Sequence, residues 1–149
     1  MKKVVTFGEV MVRLAPSEHY RFTQACPGSM DLTFGGAESS VAASVSMLGG
    51  SSRFVSALPQ HAIADAFVRQ MRGFKVDVDH VLRREAGRFG IYYVETGANQ
   101  RPSRVIYDRD YSAVSICPGE EYDWDAIFAD AQWLHISGIT LAISETAAR

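Results

Sequence analysis

The chain has 149 residues, 47% hydrophobic and 21% charged, which is enough for one domain with its own core and ordinary for a globular protein. Its 15 Lys and Arg stand against 17 Asp and Glu, for a formal charge of -2, so no basic surplus points to nucleic acid or to an anionic membrane. The first apolar run, ahead of Gly8 and Glu9, is too short for a signal-peptide core or a membrane span, and a cytoplasmic location is expected.

In chain order, KVVTF (3–7) predicts a buried parallel strand. Residues 13–33 form a polar, Pro-containing excursion with short β-like pieces. The stretch FGGAESSVAASVSM (34–47) opens on two glycines and continues as a helix over 37–48, with Ala37, Val41, Val45 and Leu48 at helical spacing. Gly49 and Gly50 stop it. A second core strand is predicted over 52–58 (SRFVSAL) and a helix over 63–72.

Residues 88–110 read as two alternating strands around Gly97, Ala98, Asn99 and Gln100, a hairpin projecting from the sheet. In its second strand Tyr107 and Arg109 share one face because side chains repeat every second residue, and Tyr92 of the partner strand can lie on that side. A short helix over 124–129 leads to a buried strand over 132–137 (QWLHIS). Ser144 then looks like an N-cap for a helix in its first turn, where the sequence stops. The pattern is that of a larger α/β protein, with right-handed crossovers, cut within a helix.

Cys26 and Cys117 lie far apart without metal-ligand spacing and are expected as free thiols. His135, in an apolar strand, reads as a core histidine, and Trp124 and Trp133 as packing residues. The motifs GxxxxGK[ST], GxGxxG after a strand, HExxH and GxSxG are all missing. What remains is the glycine pair. Gly35 and Gly36 have no Cβ to keep a ligand off the backbone, and the amides of the following helix point outward with its positive end, an arrangement suited to a polyhydroxylated or anionic small molecule. Taken alone, the pair reads first as shaping a turn for a small-residue helix packed tightly on a sheet. Glu38, in the first helical turn, favours the helix in either case.

VVTFGEVMVRL, GGAESSVA, SALPQHAIADAF, FGIYYVE, RVIYDR and LHISGIT, taken together and in this order, resemble the N-terminal half of ribokinase-like (PfkB-type) carbohydrate kinases. Within that group the chain looks most like the 2-keto-3-deoxygluconate kinases, and the resemblance spans essentially all of it. The implied fold is α/β, a three-layer α/β/α ribokinase-like core, partial and truncated, with a small β-sheet lid from segments near 13–33 and 88–110. The implied reaction transfers the γ-phosphoryl group of ATP to a sugar hydroxyl with Mg²⁺.

Carried over residue by residue, the resemblance implies that Gly35 and Gly36 touch the sugar acid and that Tyr92 and Tyr107 line the lid side of the pocket. Arg109 pairs with the sugar carboxylate, where its planar fork permits two parallel hydrogen bonds. Ser40 occupies the position where the family pattern GGAExNVA has Asn, and it cannot offer both an amide donor and a carbonyl. His61 and Ala64 stand at the Asn and Gly positions of an LPxNxxGD variant, and His61 is expected at the surface. The resemblance places the general base, the anion hole, most ATP contacts and a further sugar-binding arginine in the C-terminal half. No catalytic, cofactor-binding or metal-binding residue is therefore expected in 1–149, nor tight binding of ATP or Mg²⁺, and the chain alone is expected to be inactive. Alternatives are a catalytically inactive sugar-binding or assembly fragment, or a kinase for another sugar such as fructose or ribose. A small-molecule sugar or sugar acid is the expected partner, with homodimerisation through the lid.

Overall fold

The computed structural model describes residues 2–149. In chain order these form β1 (Lys3–Phe7), β2 (Met11–Ala15), α1 (Phe22–Ala25), β3 (Asp31–Gly35), α2 (Ala37–Met47), β4 (Ser52–Pro59), α3 (Ala62–Gly73) and β5 (Val81–Arg84). There follow β6 (Gly90–Glu95), β7 (Arg104–Asp108), a 3₁₀ turn (Gly119–Glu121), α4 (Trp124–Phe128), β8 (Ala131–His135), α5 (Gly138–Ala142) and α6 (Glu145–Ala148). Among the described residues no helix is long and apolar enough to cross a membrane.

The first sheet is wholly parallel, in the order β5-β4-β1-β8. β4 is buried along its whole length, and its alternation divides the core. Phe54 and Leu58 point to one side, against Ala42 of α2 and Ala64, Phe67 and Met71 of α3, while Val55 and Ala57 point to the other, with Val5, Phe7, Val114, Tyr122 and Ile127. Phe54 and Phe67 meet edge to face, with ring centroids 5.7 Å apart. The α/β class with a parallel sheet is therefore as expected from the strand and helix alternation. β5 was not among the predicted strands: VLRR has no alternation of its own and is extended because Ser56–Pro59 pairs with it.

The expected helix over 37–48 is present, but its buried face is not the expected one. Leu48 is fully at the surface and Met47 is exposed, whereas Glu38, Ala42 and Ser46, at four-residue steps, face inward. The physical reason is close approach. The Ser52 hydroxyl of β4 donates to the Ala42 carbonyl at 2.7 Å and lies 2.8 Å from the Ser46 hydroxyl, contacts that a stripe of larger side chains would prevent. The helix ends where Gly49, at φ +89°, takes the left-handed conformation that favours glycine.

The second sheet has the order β3-β2-β6-β7, with β2 antiparallel to β3 and parallel to β6, and β6 antiparallel to β7. The segment 88–110 is therefore not a lone projecting hairpin. Its first strand is an interior strand of a four-stranded sheet, and β7 is an exposed edge. Val12, Phe34 and Ile91 on one face of this sheet join the core beside Phe54.

Two packing expectations for the last strand need correction. Trp133 is 68% exposed and Leu134 52%, on opposite faces of β8, because that strand is the edge of the parallel sheet and neither face is covered there. His135 is half-buried rather than enclosed. Trp124 does pack, against Phe7, Tyr122 and Phe128, and donates its indole N–H to the Gly119 carbonyl at 2.8 Å. Cys26 and Cys117 are free thiols, and Ser144 caps α6 by accepting from the Ala147 amide at 3.0 Å.

An ion network ties the amino ends of the parallel strands together. Lys3 of β1 pairs with Asp77 at 2.9 Å and Asp130 at 2.8 Å, and Arg53 of β4 pairs with the same two acids at 2.9 and 2.8 Å. Burial alone would push the Asp77 carboxyl up, but the hydrogen bonds from Lys3, the Asp79 amide and Arg53 outweigh it and hold the group at about 2, below its ordinary 3.8. A depressed carboxyl stabilises the fold above the unfolded value and loses that contribution as pH falls through the folded one. About 2 kcal/mol of stability is thus expected to disappear between roughly pH 4 and pH 2. Urea titrations across that window check this, and Asp77→Asn should flatten the slope.

Candidate functional site

Open parallel α/β sheets present ligand sites at the carboxyl ends of their strands. Here those ends are Gly8-Glu9 after β1 and Ser137-Gly138 after β8, and the second sheet rises beside them through β2, which follows β1 almost at once. Strand register fixes which side chains of that sheet share a face. Thr33, Arg13, Tyr92 and Tyr107 are successive cross-strand neighbours, so their side chains form one row. The expected pairing of Tyr92 with Tyr107 is present, with ring centroids 6.2 Å apart. Two residues beyond Tyr107, the Arg109 guanidinium lies 5.7 Å from that ring's centroid, a cation–π distance. Tyr92, Tyr107 and Arg109 are thus brought together.

The glycines meet this group from the other side. A Cβ on Gly35 would lie 2.1 Å from the Tyr92 hydroxyl, and one on Gly36 would lie 2.5 Å from the Glu9 carbonyl. The missing side chains therefore let the protein's own atoms approach: Tyr92 rests on Gly35, and the β1–β2 turn rests on Gly36. Burial pushes the Tyr92 hydroxyl up, and the nearby Arg13 guanidinium works against that shift. Ser40 lies one turn into α2 and is exposed; its amide donates to the Gly36 carbonyl at 3.0 Å. His61 is at the surface as expected, and serves as N-cap of α3 by accepting from the Ala64 amide at 3.3 Å.

Two acids that gave little signal in the sequence organise the site. Glu9 is buried, only 5% exposed, and pairs with Arg109, while its Oε1 and the Arg109 Nε find no partner among the described residues. Its signal was an acid set between apolar runs, FGEVMV. Glu38 is 2% exposed and holds α2 to the loop after β8, accepting from the Ser137 amide at 2.9 Å and the Thr140 hydroxyl at 2.7 Å. Burial would raise its carboxyl, but these hydrogen bonds prevail and keep it below the usual range. Its role as a buried bracket is not visible in a first-turn helical acid.

A cleft of about 610 Å³ opens between the end of the second sheet and α5, lined by Arg109, Tyr111, Ile116, Ile139 and Ser144 among others. Of the six residues expected to bind sugar, only Arg109 reaches its wall. The donor set of the site consists of tyrosine hydroxyls, guanidinia and a helix N-terminus; Glu9 is paired with Arg109 and Glu38 with the loop after β8, while Asp110 lines the cleft. Such a set suits hydroxyl groups and a carboxylate.

The pfkB family of carbohydrate kinases matches this sequence over residues 1–148. The chain belongs to that family. It is 40% identical over 144 residues to a 2-dehydro-3-deoxygalactonokinase of Haloferax volcanii, covering 97% of this chain and 44% of that protein. The crystal structure of a 2-dehydro-3-deoxygluconokinase from Thermotoga maritima superposes with a TM-score of 0.91 at 45% identity, covering 97% of this chain and 43% of that one. A PfkB family carbohydrate kinase from Listeria grayi gives 0.91 at 32% identity, with 97% and 44% covered. This PfkB chain therefore spans less than half the length of the relatives it matches.

Proposed function

We propose that this chain supplies the sugar-binding half of a PfkB-type kinase acting on a sugar acid of the 2-keto-3-deoxygluconate type. The observation that carries the proposal is the line of Tyr92, Tyr107 and Arg109 over Gly35, which offers aromatic surface, hydroxyls and a guanidinium to one small molecule. The names of the Haloferax and Thermotoga relatives, both kinases of 2-keto-3-deoxy sugar acids, favour the same substrate class over fructose or ribose. In the complete enzyme ATP and Mg²⁺ supply the phosphoryl group and its charge neutralisation. The residues of this chain bind and orient the acceptor, the second sheet acting as a lid that excludes water.

Phosphoryl transfer rests almost wholly on positioning and on charge stabilisation around the phosphoryl group. A chain that holds only the acceptor has little of either, so no kinase turnover is expected from residues 1–149 alone. Further strands of a complete kinase would add at the exposed edge of β8, beside Trp133 and Leu134.

The test is titration of the purified chain with 2-keto-3-deoxygluconate, gluconate, ribose and fructose by thermal shift and calorimetry. Ligand in large excess over Kd makes weak binding visible, since stabilisation follows RT ln(1 + [L]/Kd). Arg109→Ala is expected to weaken sugar-acid binding by roughly 10- to 100-fold, as loss of charge-assisted hydrogen bonds does. Unchanged affinity in that variant sinks the carboxylate role, and ordinary turnover by the isolated chain sinks its inactivity. A second reading, an assembly module pairing with its own copy, is favoured by the edge strand β7, where Val105, Ile106 and Tyr107 are exposed; sedimentation velocity distinguishes it.

A further inference from the structure

One bulky residue at the cleft holds a backbone conformation that is costly for its size. Tyr111 has φ +58°, in the left-handed region where a large side chain is an outlier. Its neighbours impose that conformation. The Arg88 amide donates to the Tyr111 carbonyl at 3.0 Å, the Ala113 amide donates to the Arg88 carbonyl at 2.9 Å, and the Ser112 amide closes the turn on the Arg109 carbonyl at 3.3 Å. Behind the turn, Ala113 lies so close to Gly87 that a Cβ on the glycine would meet the Ala113 Cα at 2.5 Å. The turn is therefore fixed, and asparagine would make it at less cost than tyrosine.

The ring gains little from the chain in return. It is 76% exposed, belongs to neither core cluster and, among the described residues, pairs with no other ring. What it borders is the cleft of about 610 Å³ that Arg109 also lines, to which α5 contributes the apolar Ile139 and Ala142. Glu18, Lys75 and Asn99 share its backbone conformation, and none of them lines that cleft.

We infer that Tyr111 is a specificity-determining residue for the sugar acid, its ring packing on the methylene at carbon 3, which in a 3-deoxy acid carries no hydroxyl. This rests on the sugar-acid reading above, with the carboxylate at Arg109. Carbon 3 is two bonds from the carboxylate carbon, and Tyr111 is two residues from Arg109 on the same cleft, so the ring stands beside that part of the ligand. An aromatic ring buries apolar C–H surface favourably, whereas a hydroxyl turned against it loses water without gaining a partner. Asp110, between the two and also lining the cleft, accepts from hydroxyl groups and offers a methylene nothing. The contact is made by this chain's own residue and is independent of further groups that a complete kinase brings to the carboxylate.

The experiment compares 2-keto-3-deoxygluconate with 2-ketogluconate, which differs by a hydroxyl on carbon 3, in calorimetric titrations of the 149-residue chain as wild type, Tyr111→Phe and Tyr111→Asn. Wild type should bind the deoxy acid about tenfold more tightly, the effect of one unpaired hydroxyl. Tyr111→Phe keeps the ring and should retain that ratio within about twofold. Tyr111→Asn should lower it to about threefold or less, chiefly by weakening the deoxy acid, while its melting temperature equals or exceeds that of wild type because the backbone strain is relieved. A residue that only supported the fold would lose stability and affinity together. Equal affinity of wild type for the two acids, an unchanged ratio in Tyr111→Asn, a lost ratio in Tyr111→Phe, or a lowered melting temperature in Tyr111→Asn overturns the inference while leaving the sugar-acid assignment standing. A wild-type chain that binds neither acid overturns both.

Discussion

Arg53→Met should lower the stability of this chain by about 3–5 kcal/mol, the cost of removing one partner from a buried ion pair. Arg53 is 6% exposed and engages four acceptors: Asp77 at 2.9 Å, Asp130 at 2.8 Å and the carbonyls of Ile127 at 2.5 Å and Ala126 at 3.4 Å. The methionine fills similar space, so cavity formation contributes little. The loss comes from leaving Asp77 half-buried with, among the described residues, Lys3 as its one remaining cationic partner, and the Ile127 carbonyl without its Arg53 donor. Asp130 is half-exposed and can turn to water, which sets the upper bound of the effect. In a domain whose whole stability is typically 5–15 kcal/mol, such a loss is readable as a large drop in the urea midpoint by far-UV circular dichroism. Because this network lies at the amino ends of the strands, the variant's residual folded fraction should still bind sugar with unchanged affinity. A destabilisation below about 1 kcal/mol would show that water replaces the guanidinium at little cost.

Gly8→Ala is the second large effect, and it reaches the site. A Cβ at Gly8 would lie 2.3 Å from Cδ of Glu38 and 2.4 Å from its Oε2, far inside contact distance. Glu38 cannot swing away freely, because its Oε1 is fixed by the Ser137 amide and the Thr140 hydroxyl. One added methyl therefore either displaces β1 or breaks the bracket between α2 and the loop after β8. Overpacking with loss of hydrogen bonds to a buried carboxylate amounts to about 2–4 kcal/mol. Glu38→Gln, which keeps the shape and removes the charge, should cost less, and Gly8→Ala/Glu38→Ala should recover part of the loss by opening the space. Denaturation of the three variants checks this. Equal stabilities of Gly8→Ala and wild type would mean that the carboxylate is held less firmly than its two hydrogen bonds indicate.

Both effects arise from buried charged residues, and these are what the amino-acid sequence concealed. Strands with a strong one-dimensional signature were legible: KVVTF and SRFVSAL are apolar on both sides, as strands covered on both faces must be. The alternation of the hairpin's second strand likewise sets Tyr107 and Arg109 on one face, with Tyr92 of the partner strand free to join them. α2 was misread because hydrophobic periodicity assumes that the larger apolar side chains turn inward. Here Ala42 and Ser46 do so, and the gain is the hydrogen bonding of Ser52 to the helix at short range. Trp133 was misread for the complementary reason: an apolar strand is a core strand only if something lies on both of its faces.

The glycines at 35 and 36 show most clearly where local information ends. Their sequence allowed either a tight packing junction or open backbone for a ligand. The tertiary structure fills the Cβ space at Gly35 with the Tyr92 hydroxyl, a residue 57 positions away that strand pairing alone could bring there. By itself the sequence determined the α/β alternation, the strand face carrying Tyr107 and Arg109, and the family likeness, since each is written in short-range periodicity or in colinear motifs. Only the tertiary structure decided that β6 is an interior strand of a four-stranded sheet, that Glu9 neutralises Arg109, and that Arg13 shares its face with the two tyrosines. Those are pairings between residues distant along the chain, and they are fixed by sheet register and by the cost of leaving a charge buried without a partner.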